Sequence, residues 1–212
     1  GLHLAHQRLG KLPWKDLVQP AVELAAKGFV VTRGLGEEIA EVLPSLRKHA
    51  AAAAQFTKDG RPLQEGDTLI QADLGRTLER IRDEGPRGSY GGETARLIAG
   101  EMERLGGLIT EEDLARYRAV ERKPVSGTYR GHEVISMPPP SSGGVALIEM
   151  LNILEGYDLA ELGARSSREC HLLIEAMRRA FADRARHLGD PDAGDVPTDR
   201  LISKEHAAEL RR

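Results

Sequence analysis

At 212 residues the chain is long enough for one large domain or two small ones, with a real buried core. Charged residues make up 30% at a formal net charge of −3, and aromatic residues only 4%, which excludes the basic stripe and base-stacking platforms of a nucleic-acid binder. Cys170 is the only cysteine, so an intrachain disulfide and a Cys-rich zinc site are excluded, and no apolar run reaches the roughly 18 residues of a membrane span.

The N-terminal third is helical in character. Leu2, Leu4 and Leu9 suggest a short helix. Pro13 opens a second, with Leu17, Val18, Ala21, Val22, Leu24 and Ala25 on its apolar face and Gly28 free to take positive φ at its end. A third helix is predicted from about Gly34 to Leu43, and Ala50–Ala54 is helix-prone. Lys58 to Pro62 reads as an exposed turn. Asp73 is a candidate cap for a helix carrying Leu74, Leu78 and Ile81, which Gly85-Pro86 ends. Gly91-Gly92 precedes another, bearing Ala95, Ile98, Ala99, Met102 and Leu105 and stopped by Gly106-Gly107. Thr110 to Asp113 has a capping-box layout, although Asp is shorter than the usual Glu.

After Tyr117 the pattern changes. Ala119–Tyr129 and Glu133–Met137 favour strands, with Arg130-Gly131 as a hairpin turn. Met137 to Gly144 reads Met-Pro-Pro-Pro-Ser-Ser-Gly-Gly: three stiff prolines, two candidate N-cap serines and two permissive glycines. Val145, Leu147, Ile148, Leu151 and Leu154 then carry a core-facing helix. Such a loop is either a well-capped helix start or, less simply, an anion-binding loop; it is not a Walker loop, because no Gly-Lys-Ser/Thr follows. A long helix from about Ser167 to Leu188 is expected to pack Cys170, Leu173, Ile174, Met177, Ala180 and Phe181 along one side, making Cys170 a buried thiol. Gly189–Gly194 is a loop, and Ser203 caps a last short helix. A lone hairpin makes a marginal sheet and leaves unpaired edges.

No self-contained active site is legible. The seven histidines are scattered, and no compact His/Cys/carboxylate set suggests a metal. There is no Gly-x-Ser-x-Gly elbow, and Ser141 has no neighbouring base. Glu111, Glu112 and Asp113 favour a helix dipole, whereas Asp190 and Asp192 read as turn residues before cation ligands. Arg184 is expected to form a salt bridge with one of these acidic sets. The chain starts with Gly1 in what reads as helix interior, with no signal peptide, which suggests an excised, processed or engineered piece of something longer.

Several motifs in register resemble the γ-glutamyltransferase (glutathione hydrolase) family. They are Gln19-Pro20-Ala21, Ala26 to Phe29, Gly66 to Leu69, Gly106 to Thr110 with Asp113-Leu114, and Tyr129-Arg130-Gly131. The most specific are Met137 to Gly144 with Leu151 to Leu154, and Ala182 to Arg184 leading to Leu188–Asp192. Ala193 departs from the pattern, where an aromatic often follows.

The resemblance implies an α+β fold, predominantly helical with one β-hairpin: part of the αββα N-terminal-nucleophile (Ntn) hydrolase fold without its nucleophile-bearing subunit. Residues 1–116 would be a helical domain of the large subunit, and residues 117–212 a hairpin plus helices joining the αββα core. The implied chemistry is hydrolysis or transfer of the γ-glutamyl group of glutathione and related amides through a threonine acyl-enzyme. The partner would be the small subunit of a self-cleaving precursor, which carries that threonine. No metal or organic cofactor is implied, and the expected location is periplasmic or secreted. Thr32, Thr57, Thr68, Thr77, Thr94, Thr110, Thr128 and Thr198 are all internal and lack the nucleophile's context. No catalytic, cofactor-binding or metal-binding residue is therefore assigned, Ser141–Gly144 is taken as a rigid corner, and the fragment alone is expected to be inactive. The same scaffold also serves cephalosporin or glutaryl acylases and poly-γ-glutamate-processing enzymes, and a non-catalytic anion-binding module is the alternative from a different class.

Overall fold

A computed structural model describes residues 1–212, which form two compact units, Gly1–Val120 and Glu121–Arg212. The first runs α1 (Leu2–Leu9), α2 (Trp14–Lys27), β1 (Phe29–Val30), α3 (Arg33–Leu46), α4 (Ala50–Phe56), β2 (Thr57–Lys58), β3 (Arg61–Pro62), β4 (Thr68–Leu69), α5 (Ala72–Glu84), α6 (Arg87–Tyr90), α7 (Gly92–Arg104) and α8 (Glu111–Arg116). Its core gathers Val31, Ile39, Leu63 and Leu69, with Leu35 and Phe56 packed against them.

Helices α2 and α5 lie against each other at Gly75, where a Cβ would stand 3.2 Å from that of Ala26. The Trp14 indole donates to the Ile81 carbonyl at 2.9 Å across the same pair. Gly28 ends α2 at φ +83°, the left-handed stop expected of a glycine. The capping box at Thr110 is reciprocal: Asp113 N–H donates to Thr110 Oγ1 at 3.2 Å, and Thr110 N–H to Asp113 Oδ2 at 2.9 Å. Asp therefore reaches as Glu would, and donation from the Thr110 hydroxyl to Asp113 Oδ2 at 2.7 Å, then from the Thr110 N–H, holds its carboxyl below the usual range.

Two sequence expectations are corrected here. Asp73 does not cap α5; Gln71 holds that position, and Asp73 sits one step inside the helix paired with Arg76. The chain also carries three two-stranded pairings, not one hairpin. Besides the predicted hairpin, β1–β4 and β2–β3 each pair antiparallel as separate two-stranded sheets, and strands of two residues are too short to show alternation. The β2–β3 turn uses Asp59 and Gly60, both at positive φ. It is tied down by Arg61, which grips the Asp67 carboxylate at 2.6 and 3.1 Å.

The second unit holds β5 (Val125–Tyr129), β6 (His132–Ser136), α9 (Gly143–Leu154), α10 (Ser167–His187), α11 (Thr198–Leu201) and α12 (Lys204–Leu210). Strands β5 and β6 pair from Val125↔Ser136 to Tyr129↔His132 about Arg130 and Gly131, both at positive φ. Their two outer edges pair with no third strand. The first strand begins only at Val125, because Pro124 lacks an N–H and the residues before it are held elsewhere, Arg122 by Asp190 and Asp192.

Helix α9 is the centre of this unit. Val145 and Ile148 pack with Val125 and Leu201 toward the hairpin, and Ile153 and Leu154 pack with Ala176 and Ala207 toward α10 and α12.

Helix α10 turns inward a face offset from the one its periodicity suggests, the two sharing Ala180. Ala176, Ala180 and Asp183 are buried, whereas Cys170, Leu173, Ile174, Met177 and Phe181 are exposed, Ile174 at 60%. Small residues are what a close approach to α9 admits. The large apolar residues form a stripe on the flanking face, and Cys170 is not the buried thiol expected.

Candidate functional site

Two places in the second unit concentrate unusual geometry. At the corner, Ser141–Gly144 links the hairpin to α9 after a cis Pro139–Pro140 bond. Ser142 is the N-cap residue, yet its hydroxyl caps nothing; it accepts from Arg184 Nε at 2.8 Å. Arg184 also lies 5.6 Å over the Phe181 ring, so it holds the corner to α10 and does not pair with an acidic set as expected. Gly144 is pressed against the strand exit: a Cβ there would meet the Met137 carbonyl oxygen at 2.2 Å. The corner is thus a clamp between hairpin, α9 and α10. Asp190 and Asp192, the candidate turn pair, face the Arg122 guanidinium, with Asp190 Oδ1 at 3.3 Å.

The second place is absent from the sequence reading. Glu149 on α9, Asp183 on α10 and His206 on α12 meet in the interior, exposed by only 1%, 9% and 6%. One ligating atom from each lies within 4.8 Å of the others. His206 Nε2 and Asp183 Oδ2 are 2.6 Å apart. Ser203 positions the imidazole by capping α12, its hydroxyl accepting from His206 N–H at 3.1 Å. His206 Nδ1 and Glu149 Oε1 are buried without hydrogen-bond partners, and Glu209 Oε2 lies 3.8 Å from Nδ1. Burial, and then the neighbouring Asp183 carboxylate, push the Glu149 carboxyl up to about 8. This corrects the expectation that no compact His/carboxylate set exists: three helices assemble one from residues far apart in the chain.

Elsewhere, a cleft of about 530 Å³ in the first unit is bordered by His3, Leu4, Arg87, Tyr90, Tyr117 and Arg118. No hydroxyl or thiol nucleophile apart from the tyrosines lines it, and Tyr90 and Tyr117 stack on each other at 4.6 Å. All eight threonines lie within the chain.

The family profile for gamma-glutamyltranspeptidase matches residues 1–212, the whole chain. The chain belongs to the γ-glutamyltranspeptidase family. It is 46% identical over 214 residues to the glutathione hydrolase proenzyme of Escherichia coli (strain K12), an alignment covering 99% of this chain and 36% of that relative. It is 47% identical over 204 residues to the acylase ACY 1 proenzyme of Pseudomonas sp. (strain SE83), covering 96% of this chain and 37% of the relative. The chain thus spans little more than a third of the curated relatives it matches. Among solved structures, Helicobacter pylori γ-glutamyltranspeptidase superposes with a TM-score of 0.91 at 41% identity, over 100% of this chain and 61% of that one. The fold is therefore the mostly helical portion of the Ntn-hydrolase γ-glutamyltranspeptidases that the motifs implied. No helix is long and apolar enough to cross a membrane.

Proposed function

We propose that this chain is the scaffold part of the large subunit of a γ-glutamyltransferase or glutathione hydrolase, and that it is inactive alone. What supports the reading above all is that every residue falls within the family match while the chain covers only 36% of the Escherichia coli relative's length. The uncovered stripe of Leu173, Ile174, Met177 and Phe181 on α10, and the unpaired edges of the hairpin, support a partner polypeptide that completes this unit. That partner is the small subunit of the same precursor, with the reactive threonine at its N-terminus.

In this mechanism the threonine hydroxyl attacks the γ-amide carbonyl of glutathione or a related amide while its own α-amine takes the hydroxyl proton. Oxyanion-hole donors hold the tetrahedral intermediate. Its collapse breaks the C–N bond, the leaving amine takes the proton, and a γ-glutamyl ester remains. Water or an acceptor amine then attacks the ester and releases the threonine. The chain contributes the wall on which this centre is built, and the assembled enzyme works in the periplasm or outside the cell.

The acylase relative makes a second substrate class concrete. Comparing γ-glutamyl p-nitroanilide with glutaryl p-nitroanilide as substrates of the full-length protein separates the two. The γ-glutamyl reading expects kcat/KM at least about 100-fold higher for the amide carrying the α-amino group, since binding sites that pair a buried charge reject analogues lacking it. A preference for the glutaryl amide would reassign the protein to the acylases.

A further inference from the structure

We propose that Glu149, Asp183 and His206 form a binding site for one divalent first-row transition cation of zinc-like ligand preference, tying α9, α10 and α12 together. The donor set is two carboxylates and one imidazole. Such a mixed oxygen and nitrogen set suits zinc, manganese or iron(II). Calcium and magnesium favour all-oxygen shells, and copper(I) favours sulfur. Three protein ligands with water in a fourth position complete a tetrahedral shell.

Geometry supports the assignment. With bonds of about 2.0–2.1 Å, ligand atoms around tetrahedral zinc stand about 3.3 Å apart. The three atoms here already lie within 4.8 Å of one another, and the Asp183–His206 pair need open by less than about 1 Å from its 2.6 Å contact. All three residues are buried, Glu149 to 1% exposure, and Glu149 Oε1 has no hydrogen-bond donor. An unpaired buried carboxylate oxygen is costly, and a cation answers it.

The neighbouring basic residues do not. Arg179 is bonded to Glu175 and the Leu210 carbonyl, Arg184 to Ser142, Lys204 to Glu155 and the Thr128 carbonyl, and Arg211 to the Asn152 carbonyl. Glu209 Oε2 lies 3.8 Å from Nδ1, beyond hydrogen-bond distance; a shift of that exposed side chain by less than about 1 Å would let it accept from Nδ1–H and leave the Nε2 lone pair for the metal. The site is independent of the proposed γ-glutamyl chemistry, since none of its residues is given a role there.

The test uses the full-length protein, purified without affinity histidines or chelators. Elemental mass spectrometry should find about one equivalent of a transition metal. After chelator treatment, Co²⁺ should give saturable visible d–d bands at one equivalent. Zn²⁺ at about a hundredfold over its Kd should raise Tm by about 5 °C. In Glu149→Gln, a change of one atom that leaves the packing in place, the cobalt spectrum should weaken and zinc affinity should fall at least about 100-fold. His206→Gln should do the same if it folds by circular dichroism. A wild-type protein without stoichiometric metal, cobalt spectrum or zinc-induced Tm shift would make the trio a hydrogen-bonded proton-sharing network and overturn the proposal. So would Glu149→Gln binding zinc as tightly as wild type, which marks an adventitious ion elsewhere.

Discussion

Gly144→Ala is expected to destabilise the second unit by about 3 kcal/mol, the upper part of the range for overpacking a well-filled core. The methyl group would lie 2.2 Å from the Met137 carbonyl oxygen and 2.9 Å from both Ser136 Cβ and Val125 Cγ2. The closest of these is backbone at the end of β6, so no side chain can swing aside. Helix α9 must then lift from the hairpin, and the first residues to lose contact are Val145 and Ile148, both buried at the centre of that cluster. A thermal or urea unfolding curve read against wild type measures the loss. Gly100→Ala is the control of opposite sign. Gly100 sits inside α7 with open space where its Cβ would go, so alanine should stabilise by about 0.5–1 kcal/mol through helix propensity. Equal and small effects at the two positions would show that the corner is not clamped.

Ile148→Ala should cost a comparable amount, about 3–4 kcal/mol. Ile148 is only 1% exposed, and its Cγ2 occupies the space that a side chain on Gly127 would fill, 2.6 Å from the ideal Cβ position there. Truncation therefore removes the filler from a notch that β5 leaves open. A strand paired along its length to β6 cannot collapse inward, so most of the cavity remains and the loss exceeds the transfer energy alone. Ile148→Val should lose only about 1 kcal/mol, since it keeps both γ-carbons, Cγ2 included, and drops only the terminal Cδ1 methyl. Denaturant midpoints for the pair give the ratio directly; equal losses would mean that the contact with Gly127 does not carry the burial.

Local geometry was legible where a residue type has one dominant physical reason to be present. Gly28 and the Arg130-Gly131 turn sit at positive φ because the backbone needs it there, and Ser203 caps because its hydroxyl reaches the third N–H on. Helix α10 illustrates what periodicity leaves open. The stripe of Leu173, Ile174, Met177 and Phe181 has helical spacing, but spacing does not say what covers it. Within this unit the covered face is the one with Ala176 and Ala180, because close packing on α9 selects small side chains. The trio of Glu149, Asp183 and His206 was illegible for another reason. His206 and Asp183 are 23 residues apart on different helices, and only tertiary packing brings them within 2.6 Å. The two-residue strands β1 and β4 left no alternation to read, although Val31 just after β1 and Leu69 within β4 are core.

The most direct measurement is release of p-nitroaniline from γ-glutamyl p-nitroanilide by the 212-residue chain, purified alone and again after co-expression with the remainder of the proposed precursor. The chain alone should give no turnover above buffer, and the co-expressed pair should give turnover that disappears when the first residue of the small subunit is changed from threonine to alanine. Sustained hydrolysis by the isolated chain would mean that its own residues carry the reaction, and would contradict the account.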